Sequence, residues 1–247
     1  MRRLIVISIF TLTICSQSQA AIVCSSLTSG SSTTDATSYE TASITPTSNA
    51  LVLLAFTSRT ATADIVVGTA SGNSLTWDLV DNIPVSGNNR TVVVRRAMGV
   101  SPTTGTITIS FGAQTQTSAI WSVVECTGVD TSGSNGSGAI VQSIDQDSGA
   151  MATSFTNTMA DFGSTANAGY TAAMHIANEA TTPGSSWSEI HDVAIAENAY
   201  GFQTQYKIND KVGTASWATS SFFQDIAIEI KDGAVSRTFD FLQVFDI

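Results

Sequence analysis

The chain holds 247 residues, 43% of them hydrophobic, with 10 basic against 20 acidic side chains, a formal net charge of -10 and a sequence pI near 4.4. So apolar a composition excludes a disordered chain, which buries too little surface to offset its ordering entropy. The acidic balance argues against a nucleic-acid partner, because like charge repels a phosphate backbone. Charged residues are only 12% of the chain, about half the usual share of a soluble domain. Ser, Thr, Asn and Gly stand in their place, and such side chains bond locally to backbone in short strands and turns.

The first segment reads as a targeting signal. "MRR" is basic, "LIVISIFTLTIC" (Leu4 to Cys15) is apolar but too short to span a bilayer, and "SQSQA" sets Ser18 and Ala20 as the small residues of a cleavage site. Residues 1-20 are therefore expected to leave as a signal peptide, which implies a secreted or surface-exposed protein. Retention of the segment as a strand or anchor is the alternative. A lipoprotein reading fails on Ile14, which is not the small residue needed before an acylated Cys15. Cleavage would leave Cys24 and Cys126, an even count in an oxidising compartment and a candidate disulfide. Two buried thiols acting as small apolar residues are the other reading.

From residue 22 onward short strands alternate with turns. "SNALVLLAFTSR" (48-59) is a continuous apolar run of strand length. "NSLTWDLVD" (73-81) is predicted to place Leu75, Trp77 and Leu79 on one face. "NNRTVVVRRAMG" carries a β-branched run, and "GTITISFG" (105-112) alternates Ile107, Ile109 and Phe111 with Thr106, Thr108 and Ser110, a period of two. "SAIWSVVECTG" is the next strand; Val123 and Glu125 share one face, and Ser122, Val124 and Cys126 the other. "GYTAAMHIA", "SWSEIHDVAI", "AYGFQTQYKI", "GTASWATSS" and "QDIAIEIK" follow. Turn signals such as "SGNN", "SGSNGSG" and "TTPGSS" separate them, and no stretch reads as a long amphipathic helix. Many short strands at even turn spacing predict an all-β, jelly-roll-like antiparallel sandwich. It is read as a single domain over residues 21-232 with no evident internal repeat. Residues 233-247 form an apolar tail or last strand, in which Phe239, Phe241 and Phe245 are candidates for docking on a partner's sheet edge.

Signals for chemistry are sparse. No catalytic residues are assigned, and the protein is expected not to be an enzyme. Cys126 has no neighbouring base in sequence to activate it. "DTSGSNGSG" lacks both the acidic spacing of a calcium loop and the Gly-Lys-Ser/Thr of a phosphate loop. Asp145 and Asp147 in "DQDSG" are the hard oxygen ligands that Ca2+ takes, but calcium wants about six to eight oxygens. Solvated loop acids are the plainer reading, and no cofactor is otherwise expected. "WSEIHD" is predicted to bring Trp187, Glu189 and His191 to one strand face, either as an acid-base or ligand-binding group or as an ordinary polar pair at a sheet edge. Trp187, just after a turn, is the tryptophan expected to be exposed. With Trp77, Trp121 and Trp217 it could build a sugar platform, although tryptophan in a sandwich is more often core. Asn89 and Asn135 lie in glycosylation sequons, relevant only in a host with that pathway.

In order along the chain, "SNALVLLAFTSR", "GNSLTWDLV", "RRAMGVSPTTGTITISFG", "WSVVECTGVDTSGSNGSGAIVQ", "TTPGSSWSEI", "FQTQYK" and "IAIEIK" resemble a broad group of jelly-roll or β-sandwich proteins from bacterial secreted or surface proteins and phage-related sequences. The resemblance covers most of the chain, and its most specific pieces are "GNSLTW", "ECTGVDTSG" and "TPGSSW". It implies a structural or binding module and carries over no catalytic residue. The expected function is a non-enzymatic extracellular component that builds or decorates a cell surface, filament or virion through self-association or an assembly partner. A carbohydrate-binding module is the alternative, and a secreted hydrolase the third reading.

Overall fold

The computed structural model describes residues 20-61, 65-83 and 89-233. The signal-like segment and the tail residues Phe239, Phe241 and Phe245 lie outside the described residues. Within them the chain runs through β1 (Val23–Ser32), β2 (Ser38–Glu40), β3 (Leu51–Thr60), β4 (Thr69–Gly72), β5 (Asp78–Asn82), β6 (Arg90–Ala97), β7 (Ile107–Ser110) and β8 (Gln116–Thr127). A single 3-10 turn at Ser137–Ala139 leads into β9 (Ile140–Asp147), β10 (Ala152–Thr158), β11 (Ala168–His175), β12 (Thr182–Pro183), β13 (Ser188–Ile195), β14 (Tyr200–Ile208), β15 (Val212–Ser221) and β16 (Phe223–Ile230).

All pairings are antiparallel, and the fold is an all-β sandwich. Two inner sheets of five strands, β1-β8-β3-β6-β5 and β9-β16-β11-β14-β13, face each other. An outer sheet of three strands covers each: β2-β7-β4 on the first and β10-β15-β12 on the second. Adding eight to every strand number of the first inner and outer pair reproduces the second. The connectivity is therefore duplicated.

This layering explains the sequence patterns. The central strands of an inner sheet have no solvent face, so they need apolar residues on both sides. In β3, Leu51, Leu53 and Ala55 enter the core between the inner sheets, while Val52, Leu54 and Phe56 enter the core beneath the first outer sheet. The alternation is present but hidden in a continuous run. An outer strand has one wet face, and β7 accordingly buries Ile107 and Ile109 and leaves Thr108 and Ser110 half-buried. The central core also takes Val92, Val94, Ile120 and Val124 from the first inner sheet, and Tyr170, Met174, Phe202, Ile226, Ile228 and Ile230 from the second.

The two outer layers differ in chemistry. Beneath β2-β7-β4 lie Tyr39, Phe56, Phe111 and Trp121 in mutual ring contact. Beneath β10-β15-β12 the apolar cluster is small, centred on Phe155, Trp217 and Phe223, and much of the buried surface is polar: His175, Gln203, Gln205, Asp225 and Glu229. Hydrogen bonding satisfies these groups in part, leaving His175 Nδ1, Gln203 Oε1 and Asp225 Oδ1 without a partner. Asn157 Nδ2 donates to Asp225 Oδ2 at 2.7 Å, and Asn167 and Gln142 donate to Glu229 at 2.5 and 2.6 Å.

Two sequence expectations are corrected at this level. Leu75, Trp77 and Leu79 do not share a buried face: β5 begins only at Asp78, and Leu79 is exposed. Asp145 and Asp147 are not loop residues; both sit on the edge strand β9, opposite Ile226 and Gln224.

Candidate functional site

The strands that line the edges of the two inner sheets bring together the densest cluster of chemistry-bearing side chains. His191 on β13 points into the space between the sheets. Its Nε2 lies 2.6 Å from Ser26 Oγ on β1, and its Nδ1 lies 2.7 Å from Ser122 Oγ on β8. Ser122 Oγ is 2.9 Å from Thr204 Oγ1 on β14. The Tyr170 hydroxyl on β11 sits against Thr204 and Ser122, and complete burial raises its pKa strongly. His191 is 9% exposed, whereas Ser26 faces solvent. Burial holds the His191 imidazole below its usual pKa, so it is neutral at physiological pH.

Two irregularities aim these side chains. The β1-β8 register slips between Ser26 and Thr28, leaving Leu27 as the extra residue, and the β13-β14 register slips between Glu189 and His191. A bulge turns a side chain that simple alternation would direct elsewhere. The second bulge corrects the expectation for "WSEIHD". Glu189 pairs with Gln205 and His191 with Thr204; those partners are neighbours on β14, so Glu189 and His191 point to opposite faces. Glu189 instead accepts from Gln203 Nε2 at 3.0 Å under the second outer sheet. Trp187 is not exposed either. It is 6% exposed and packs over Gly169 and Gly184, where a Cβ would meet its ring at 2.9 and 3.0 Å.

The other tryptophans share that fate. Trp77, Trp121 and Trp217 are 6-7% exposed, and Trp217 stacks on His175 with ring centroids 4.8 Å apart and planes 5° apart. His175 Nε2 is bonded to Thr181 Oγ1 at 3.0 Å, and burial lowers its pKa to about 4, opposed by Glu179. A sugar platform built from the four tryptophans is therefore not formed on this surface. Asp145 and Asp147 are exposed, and no group of three or more His, Cys, Asp or Glu side chains able to hold a metal occurs among the described residues.

Cys24 and Cys126 are bonded to each other across directly opposed positions of β1 and β8. The bridge ends two residues from Ser26 and pins the strand that carries it. Separately, a groove of about 450 Å³ opens beside the 3-10 turn, lined by Ser137, Ile140, Ser164, Asn167, Glu229 and Lys231. Its polar side chains are already engaged: Glu229 with Asn167 and Gln142, and Lys231 with Asp130 at 2.7 Å.

Of the cluster, sequence reasoning reached only His191. Ser26 and Ser122 lie 165 and 69 residues from it in the chain, and serine is so common here that neither stands out. The shared face of Ser122 and Cys126 was the one available signal. Comparison with protein-family models, with curated proteins and with solved structures finds no match.

Proposed function

We propose that this protein is a structural component of an extracellular assembly, one that builds or decorates a surface such as a cell envelope, a filament or a virion. The observation that carries the reading is the duplicated four-layer stack, in which two inner sheets share one core and each is covered on its far side. Such a body has little loop machinery and much buried strand, which suits a rigid building block better than a mobile binder. We read each eight-strand half as jelly-roll-like, since β1-β8-β3-β6 and β2-β7-β4 follow the order in which that fold folds its strands into two sheets. The Cys24–Cys126 bridge supports an oxidising, extracellular location. So does the resemblance to secreted and surface β-sandwich proteins.

Size-exclusion chromatography with light scattering on the mature chain tests the proposal. Growth into a discrete larger species with concentration is expected. A strict monomer up to high concentration would overturn it.

A further inference from the structure

We propose that Ser26 is a nucleophile toward carboxylic esters, with His191 as its general base. This goes beyond a structural role and rests on geometry that such a role does not require. A tether between the inner sheets would be complete with Ser122, which is buried and bonded to both His191 and Thr204. His191 nonetheless directs its second nitrogen to the hydroxyl of Ser26, an exposed residue, in a part-buried contact of 2.6 Å. Both strands bulge at this point, and β1 is the edge strand of its sheet, so a substrate can approach Ser26 from outside. Heavy-atom contact of this length is what general-base activation of a hydroxyl demands.

The hydrogen-bond chain sets the tautomer. For Nε2 to accept from the Ser26 hydroxyl, Nδ1 carries the hydrogen and donates it to Ser122 Oγ, which donates onward to Thr204 Oγ1. The depressed basicity caused by burial keeps His191 unprotonated and ready. Ser122 takes the orienting place that a carboxylate holds in a serine-histidine-aspartate triad. It brings no charge to stabilise the imidazolium, so the activity is modest.

The reaction balances without a further reactant except water. The Ser26 proton passes to Nε2 as Oγ bonds to the ester carbonyl carbon. Collapse breaks the bond to the leaving alcohol oxygen, which takes the proton from Nε2. Water, deprotonated by His191, then attacks the acyl-Ser26 ester. The carboxylic acid departs and Ser26 regains its proton.

The test is covalent. The intact folded protein is treated with a fluorophosphonate probe, and the modified residue is located by peptide mass spectrometry, with p-nitrophenyl acetate hydrolysis measured alongside. Ser25, also exposed and adjacent on the same strand, is the internal control. Labelling of Ser26 at least about 100-fold faster than Ser25 is expected, the scale of general-base assistance. Ser26→Ala should abolish the hydrolysis, and His191→Gln should cut both readouts by a similar factor. Should His191→Gln fail to fold, the Ser26-to-Ser25 ratio in the unmodified protein still decides. Equal labelling of the two serines would overturn the proposal.

Discussion

Asp225 offers the sharpest test of the structure, because it is a carboxyl with no solvent and an incomplete set of partners. It sits on β16 facing the second outer sheet, fully buried, with Oδ2 accepting from Asn157 and Oδ1 unpartnered. Directly opposite on β9 stands Gln146, whose Oε1 is also buried and unpartnered. Paired residues that each carry a buried, unpartnered acceptor have nothing to share until one of them gains a hydrogen. A proton on Asp225 supplies it. Burial pushes the Asp225 pKa up to about 7, the Asn157 amide opposing and the negative charge of Asp145 adding to the rise.

The sign of the pH effect follows. The unfolded carboxyl titrates at its ordinary value of 3.8, the folded one at about 7, so between these limits the folded state holds a proton that the unfolded state has released. Stability is therefore lost as pH rises through this window, and the loss is complete above it. At about 1.4 kcal/mol per tenfold change in proton affinity, the full span is about 4 kcal/mol. Wild type alone does not display it cleanly, because His175 is shifted in the opposite sense, from 6.5 down to about 4, and stabilises as pH rises over much of the same range. The difference between wild type and Asp225→Asn cancels that contribution. The amide keeps the shape and the bond to Asn157 but cannot ionise. Urea unfolding followed by tryptophan fluorescence from pH 4.5 to 8.5 should show the variant gaining on wild type steadily to about pH 7, by about 3 kcal/mol over that range. A pH-independent difference would refute the reasoning. It would mean that the Gln146 side-chain amide presents its NH2 to an ionised Asp225.

Four further outcomes are expected. Cys24→Ser with Cys126→Ser removes a bridge between residues 102 apart and should cost about 5 kcal/mol by the chain-entropy account, read as a fall in the denaturation midpoint that reductant reproduces in wild type. His175→Gln should flatten the acid side of the stability curve, since the neutral imidazole stacked on Trp217 contributes stability lost as pH falls from 6.5 towards about 4; an unchanged acid limb would show the ring is not buried. Leu53→Ala in the central core should cost about 2-5 kcal/mol, measured in the same unfolding assay. Acrylamide should quench the native tryptophan emission poorly and polysaccharides should leave it unchanged, because all four rings are 6-7% exposed; strong quenching by either would reopen the sugar-binding reading.

The strands were legible because their patterns are local. "GTITISFG" writes its burial as simple alternation, and "LVLLAF" writes double-sided burial as an unbroken apolar run. The "SVVECTG" faces were also readable, since β8 carries no slip across that stretch. "WSEIHD" failed for the opposite reason. One extra residue in β13 reverses the facing of everything beyond it, and a bulge leaves no mark in a single sequence. Trp187 was misjudged because a turn suggests exposure, while two glycines distant in the chain, Gly169 and Gly184, open the space that its ring fills. The Ser26–His191–Ser122 cluster needed three strands from two sheets.

The duplicated topology explains why the composition misleads and how it can be read correctly. A two-layer sandwich needs half of its strand surface to be polar and wet, whereas here ten of the strands lie in inner sheets, and the central ones are buried along most of both faces. Charge has few places to go, and the 12% of charged residues is what such a stack permits. The polarity that remains is uncharged and mostly Ser, Thr, Asn and Gln, which can be buried when bonded, as the contacts around His191 and Glu229 show. The two halves fill the outer gap differently, one with aromatic rings and the other with bonded amides and carboxyls. Both solutions satisfy the same strand order, so the connections set the layers while the residues beneath each outer sheet set its chemistry.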